Sequence, residues 1–302
     1  MMDRLTELAA FLAVVDEGGF SSAARALRKS PPTVTRLVAD LEARLGVRLL
    51  DRSSRRCLLT EQGNRFAQDA RAILADYEQA ISSATGEASL PRGNIRLTAP
   101  YFFGRQHVAS VALDFLDSHS SISIELDLSD RILDLHSEGI DLAVRIGANS
   151  DETLKSTRVG WVRRVMVASP EYLAGHGTPK VPRDLAGHTK IQHGSRVDAP
   201  WRFKGPRNRA VVMPVQARFT VNQADSALAA ARAGHGLVTA LSYQVHHELA
   251  SGQLVRILEE YEPDPLPVAL TWPEGREQIL RVRLLIDHLA QELRRLAVIS
   301  MN

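Results

Sequence analysis

Ser30-Pro31-Pro32-Thr33-Val34-Thr35-Arg36-Leu37-Val38-Ala39-Asp40-Leu41-Glu42-Ala43-Arg44-Leu45-Gly46 is the stretch from which the rest of the chain is read. A capping hydroxyl, then proline at the first helical position, starts a helix. Gly46 stops it after Leu45. Val34, Val38, Leu41 and Leu45 are spaced by four, three and four residues and form a core stripe. A rotation of about 100° per residue puts Pro32, Thr35, Arg36 and Ala39 on the other side. That face is small, polar and basic towards its N-terminal end, which suits entry into a DNA major groove. Arg36 can reach guanine, and Thr35 a phosphate or a base edge. The plain alternative is a three-helix bundle with an exposed arginine.

N-terminal to this stretch, Leu5, Leu8, Ala9, Phe11, Leu12 and Val15 share one helical arc, so a first helix is expected from about residue 3 to 16. Gly18-Gly19 ends it. Ser21 or Ser22 can cap a short second helix through Leu27. Downstream, Arg48-Leu49-Leu50-Asp51-Arg52 reads as a short strand, Ser53-Ser54-Arg55-Arg56 as a polar turn, and Cys57-Leu58-Leu59 as the returning strand. An arginine-bearing hairpin tip beside such a helix can straddle phosphates or the minor groove. From Phe20 to Thr60 nine basic residues stand against three acidic ones, whereas the whole chain carries only +2. A local excess of that kind attracts phosphate.

The ordered set Phe20-Ser21-Ser22-Ala23-Ala24-Arg25-Ala26-Leu27, Ser30 to Arg36, and Leu41-Glu42-Ala43-Arg44-Leu45-Gly46-Val47-Arg48-Leu49-Leu50-Asp51-Arg52 resembles the DNA-binding domain of LysR-type transcriptional regulators. Leu59-Thr60-Glu61-Gln62-Gly63 is similar to the family's usual Leu-Thr-Glu-x-Gly after the wing. The resemblance implies DNA contacts at Ser21, Ser22, Pro31, Pro32, Thr33, Thr35, Arg36, Arg52, Arg55 and Arg56. Two departures stand out. Leu37 replaces a frequent glutamine, and Pro31-Pro32 replaces a commoner Thr-Gln-Pro or Ser-Pro-Ser. Both are expected near the groove, so no operator sequence carries over.

Thr60 can cap a long helix to about Ala84. On it Phe66, Ala70, Ile73, Tyr77 and Ile81 form a continuous apolar stripe on an otherwise polar surface. The stripe can pack on its own domain. In the resembling family it pairs with its twin, which makes these five residues the expected dimer contacts. Ala10, Ala13 and Val14 of the first helix offer a small apolar face that can receive the partner's linker helix. A tetramer through the C-terminal domains is common in the family.

Thr85-Gly86-Glu87-Ala88-Ser89-Leu90-Pro91-Arg92-Gly93 is rich in breakers and reads as a hinge. Beyond it Asn94–Ala99, Ser121–Leu128 and Asp141–Ile146 alternate like strands, with helices expected at 108–118 and 131–138. Further strands are expected near 165–168, 211–222 and 266–270, and helices at 225–233 and 276–296. Strands alternating with helices argue for an α/β layer with largely parallel strands. Ser129-Asp130-Arg131-Ile132-Leu133-Asp134-Leu135, Glu138 to Gly147 and Val167-Ala168-Ser169-Pro170-Glu171-Tyr172-Leu173 resemble the family's effector domain.

The fold expected is therefore α/β. An N-terminal all-α winged helix-turn-helix (1–60) and a linker helix with hinge (61–90) precede a two-lobed, periplasmic-binding-protein-like effector domain (91–302). Its lobe I is 91–163 with 267–302, and its lobe II is 164–266. Ligands in open α/β sheets sit beyond strand carboxyl ends, near helix N-termini. The candidates there are Pro100, Tyr101, Phe102, Ser129, Asp130, Arg145, Trp201, Phe203 and Asn222. Arg145 can hold a carboxylate, or form a salt bridge with Asp130 or Asp141. Tyr101, Trp201 and Phe203 can face an aromatic ligand body, or be ordinary core. The expected effector is a small organic or aromatic acid.

Other functions fit less well. Gly234-His235-Gly236 follows a helix and precedes a strand, the reverse of a dinucleotide fingerprint. His246-His247 lacks metal-ligand spacing, and no Gly-x-Ser-x-Gly elbow occurs. No enzyme, cofactor or metal site is expected. Cys57 is the single cysteine in 302 residues, which excludes an intrachain disulfide and weighs against a redox sensor. The start, Met1-Met2-Asp3-Arg4, does not read as a secretory signal. No run of about 18 apolar residues suits a membrane span. A cytoplasmic protein is expected. Its partners would be promoter DNA, a small effector, a second copy of itself and, if it activates, RNA polymerase.

Overall fold

The computed structural model describes residues 4–51, 58–85, 91–148, 151–194, 199–205, 207 and 209–300. The chain divides into two compact units, Met1–Asn94 and Ile95–Asn302.

The first unit packs α1 (Arg4–Asp16), α2 (Phe20–Ala26) and α3 (Pro31–Leu45) around Phe11, Val34, Val38 and Leu41. Ser30 Oγ accepts the Thr33 N–H at 3.4 Å, and Gly46 closes α3 in the left-handed region at φ 70°. Neither Ser21 nor Ser22 caps α2. The helix starts at Phe20 behind Gly19, so both serines already lie in its first turn. Buried Glu7 of α1 ion-pairs with Arg44 of α3. Glu42 Oε1 accepts the N–H groups of Leu49 and Leu50 at 2.8 and 3.0 Å, which fixes where the wing leaves α3.

The wing is an antiparallel pair, β1 (Leu50–Asp51) and β2 (Leu58–Leu59), with Leu50 opposite Leu59. Arg52, Arg55, Arg56 and Cys57 lie outside the described residues. α4 (Glu61–Thr85) follows at once. Thr60 Oγ1 accepts the Gly63 N–H at 2.9 Å and donates to the Arg48 carbonyl at 2.8 Å. A Cβ at position 63 would stand 2.0 Å from the Leu49 carbonyl oxygen, so only glycine lets α4 start this close to the wing. The Leu-Thr-x-x-Gly pattern is therefore a joint between strand and helix.

The second unit has two sheets. The first, in the order β4-β3-β5-β14-β6, holds β3 (Gly93–Ala99), β4 (Ile122–Leu128), β5 (Leu142–Ile146), β6 (Leu154–Val162) and the late β14 (Leu266–Pro273). α5 (Tyr101–Phe103), a π-turn at Gly104–Val108, α6 (Ala109–Asp117) and α10 (Leu280–Arg294) belong to this lobe. The second sheet, in the order β11-β8-β12-β7-β13, holds β7 (Arg164–Ala168), β8 (Lys190–His193), β11 (Phe219–Val221), β12 (Leu237–Leu241) and β13 (Val255–Ile257). A separate hairpin joins β9 (Trp201–Lys204) to β10 (Ala210–Met213). α7 (Pro170–His176), α8 (Ala224–Arg232) and α9 (His246–Ala250) complete the second lobe. One apolar core runs through both lobes, from Leu97, Phe103, Val144 and Leu289 to Val167, Leu228 and Val238.

Three expectations need correction. The sheets are mixed rather than largely parallel. β3–β5, β8–β11 and β8–β12 are parallel, but β7 runs antiparallel to β12, and β14 to β5. β7 and β14 are the strands by which the chain enters or re-enters a lobe, and each arrives from the opposite end. The helix expected from Val108 begins at Tyr101 and includes the π-turn. Residues 131–134 form an irregular loop and residues 135–138 a turn, not a helix. Asp134 Oδ1 accepts the N–H groups of His136 and Ser137, an Asx turn that competes with helix propagation.

Gly234 and Gly236 also find their reason here. Gly234 ends the α8 region at φ 79°, and Gly236 lies at φ 149°, where a Cβ would meet the Thr189 carbonyl oxygen at 2.5 Å. Their role is a tight helix-to-strand turn.

Candidate functional site

In the first unit, α3 has one buried and one open face. Val34, Leu37, Val38 and Leu41 are buried; Pro31, Pro32 and Arg36 are exposed, and Thr33 and Thr35 half-exposed. Thr35 Oγ1 donates to the Pro31 carbonyl at 2.9 Å, which leaves its oxygen able to accept. Leu37 corrects the sequence reading, since at 3% exposure it belongs to the core and not to the groove face. It lies three residues after Val34 and four before Leu41, on the same stripe. Leu45 is 37% exposed, so the buried part of the stripe ends one turn earlier than its spacing suggested. Ser21 is exposed on α2, and Ser22 receives a hydrogen bond from Arg25 at 3.4 Å.

The α4 stripe divides in two. Phe66 packs against Phe11 of α1, ring centroids 5.6 Å apart, and Ala70 is fully buried in the same core. Arg71 adds an ion pair to Asp16. Phe66 and Ala70 thus seat the helix on its own domain. Ala10 and Val14 are buried there too, so the α1 face expected to receive a partner is already covered. Ile73, Tyr77 and Ile81 remain 47%, 48% and 45% exposed.

In the second unit a cavity of about 590 Å³ opens between the two sheets. Lobe I contributes Pro100 after β3, the Ser129–Asp134 loop after β4, and Arg145 towards the end of β5; lobe II contributes Arg164, His193 and Tyr243. Asp130 Oδ1 accepts the Tyr101 N–H at 3.0 Å, tying the β4 loop to the start of α5. Arg145 Nη2 donates to the Leu133 carbonyl at 2.7 Å. Burial pulls its guanidinium below its ordinary value, while Asp151 and Asp134 oppose that pull. Arg145 therefore carries a structural hydrogen bond and two compensating carboxylates. Asp141, its other expected partner, pairs with Arg276 at 3.0 Å.

Of the candidate effector residues, Pro100, Ser129, Asp130 and Arg145 line the cavity. Tyr101, Phe102, Trp201, Phe203 and Asn222 do not. Phe102 packs edge-on against Tyr243 in the core. Trp201 and Phe203, 4% and 6% exposed, fill a core beneath the β9–β10 hairpin, and Trp201 Nε1 donates to Gln192 at 2.8 Å. Two basic residues of lobe II, His193 and Arg164, were not foreseen. His193 Nε2 donates to the Thr239 carbonyl at 2.8 Å, and burial with the nearby Arg164 charge holds the ring below its ordinary pKa. Arg164 is exposed but surrounded by protein. Desolvation lowers its pKa, and none of the described residues offers it a hydrogen bond or an ion pair. The carboxyl-end rule missed Arg164 because it opens β7. As β7 runs antiparallel, with Arg164 opposite Leu241, its amino end meets the cavity.

Among the described residues no cluster of His, Cys, Asp and Glu suits a metal, and no helix is long and apolar enough to cross a membrane.

Comparison with known proteins agrees with this architecture. Residues 5–64 match the bacterial regulatory helix-turn-helix protein, lysR family, and residues 88–294 match the LysR substrate binding domain. The chain is 33% identical over 293 residues to the transcriptional regulator PtxR of Pseudomonas aeruginosa, covering 96% of this chain and 93% of PtxR. The Vibrio cholerae virulence activator AphB superposes with a TM-score of 0.60 at 27% identity, covering 96% of this chain and 99% of AphB. CrgA of Neisseria meningitidis gives 0.60 at 29% identity, covering 95% and 98%. With both domain types matched in order, the chain belongs to the LysR family of transcriptional regulators, DNA-binding proteins with a helix-turn-helix and a substrate-binding effector domain, and not enzymes.

Proposed function

We propose that this regulator acts in the cytoplasm and reads a roughly palindromic promoter site as a homodimer or tetramer. A small organic acid bound between its two lobes would control it. The observation that carries the DNA reading is the open N-terminal face of α3, with Pro31, Pro32 and Arg36 exposed on a helix whose other face is core. Arg36 contacts a base, Thr33 and Thr35 the backbone or a base edge, and the wing arginines the flanking phosphates. Ser21 and Ser22 approach phosphate from α2. The exposed Ile73, Tyr77 and Ile81 supply the dimer contact. Ligand binding favours one closure of the lobes, and that preference couples to the placement of the DNA-binding heads. If it activates, RNA polymerase is a further partner.

A gel shift on the DNA upstream of the protein's own gene tests this reading. A salt-sensitive, sequence-selective shift supports it. Retardation that is equal for unrelated DNA, or none at all, contradicts it.

A further inference from the structure

We infer that the effector is a bifunctional small acid, with an anionic group on Arg164 of lobe II and a hydroxyl or ammonium group on Asp130 of lobe I. This rests on the reading of the cavity as the effector site and adds what the site selects. Arg164 and Asp130 both line the cavity, from opposite lobes, and do not pair with each other. No carboxylate or carbonyl of the described residues satisfies Arg164. Two further arginines line the cavity from lobe I: Arg145 already donates to Leu133 and is offset by Asp134 and Asp151, and Arg131 is an exposed side chain in the loop after β4. Arg164 is the arginine that surrounding protein desolvates without a partner among the described residues.

Asp130 is the negative counterpart. One of its oxygens accepts the Tyr101 N–H, and its charge reaches across the cleft, where it acts on both His193 and Tyr243. A ligand with only a carboxylate would satisfy Arg164 and offer no donor to the Asp130 oxygen that Tyr101 does not use. A ligand with a donor beside its acid group satisfies both walls. Because the two anchors belong to different lobes, such a ligand also bridges them, and a monofunctional acid does not. Selectivity and closure then share one cause.

Calorimetry on the full chain tests this with two sets of probes. The first is propionate, lactate and alanine; the second is 3-phenylpropionate, 3-phenyllactate and phenylalanine. In at least one set, the hydroxyl or ammonium member should bind at least about tenfold more tightly than the unsubstituted acid. Asp130→Asn keeps an acceptor for the Tyr101 N–H, and should shrink that preference to within about threefold. Arg164→Gln should weaken the binding member about tenfold or more at an unchanged melting temperature, with Arg164→Lys recovering most of the loss. Three results would overturn the inference: no probe binds the wild-type protein, both sets show no substituent preference, or Arg164→Gln binds like wild type. The wild-type gel shift separates the two readings. If it persists while the calorimetry fails, only the bifunctional-ligand inference falls; if the shift itself is absent, the regulator reading falls.

Discussion

Gly63 is the residue on which the joint between wing and linker turns. Its Cα faces the Leu49 carbonyl so closely that a Cβ would lie 2.0 Å from the oxygen. Gly63→Ala should destabilise the first unit by roughly 1–3 kcal/mol, because backbone rather than a flexible side chain must move. Denaturant melts of the full chain check this, and an unchanged midpoint would show that the joint is looser than drawn. In the effector domain, burial holds His107, His188 and His193 below the ordinary histidine value of 6.5. Above that value folded and unfolded chains are both neutral at these sites. As pH falls below 6.5 the unfolded chain takes up protons first, so stability declines until the folded pKa values are passed. His193→Gln should flatten the decline in melts between pH 7 and 5. A melting point that rises on acidification would contradict the assignment.

At the scale of the element, α4 serves two roles along one stripe. Its first turns seat it on α1 through Phe66 and Ala70, and its later turns present Ile73, Tyr77 and Ile81. Phe66→Ala should therefore lower stability, by roughly 1–3 kcal/mol for a partly buried ring. Tyr77→Asp should leave the first unit folded and shift the protein towards monomer. Sedimentation with melting separates the two outcomes, and a dimer that survives Tyr77→Asp would move the interface elsewhere. The same helix shows what a sequence can and cannot reveal. Periodicity located α3 and α4 because each has a buried face, and Ser30, Gly46 and Thr60 marked their ends. It did not reveal whose core the stripe meets, because an apolar face looks the same whether its partner is intramolecular or a second chain. Leu37 escaped for a related reason, since a four-three-four spacing names one line of a buried arc that is wider than a line. Trp201 and Phe203 read as aromatic on either account, and only the hairpin above them makes them core. Arg164 was hidden by strand direction, which local pattern does not encode.

Across the molecule, two units divide the work. Met1–Asn94 carries α3, the helix proposed to face DNA, and Ile95–Asn302 carries the cavity between two mixed sheets. The order of the domains and the α/β character of the second were legible because each unit has its own periodicity. The residues that would grip the ligand were legible only in part, because Pro100, Ser129 and Asp130 follow strand ends while Arg164 precedes one. We propose that a symmetric pair of α3 helices reads sequence, and footprinting of the purified protein on its own upstream DNA is the sharpest test. Two protected major-groove half-sites are expected, inversely repeated, with centres about 10 base pairs or a multiple apart. Arg36→Ala should then lose about 1–3 kcal/mol of discrimination at one base in each half. A single protected half-site, or uniform protection that ignores sequence, would contradict it.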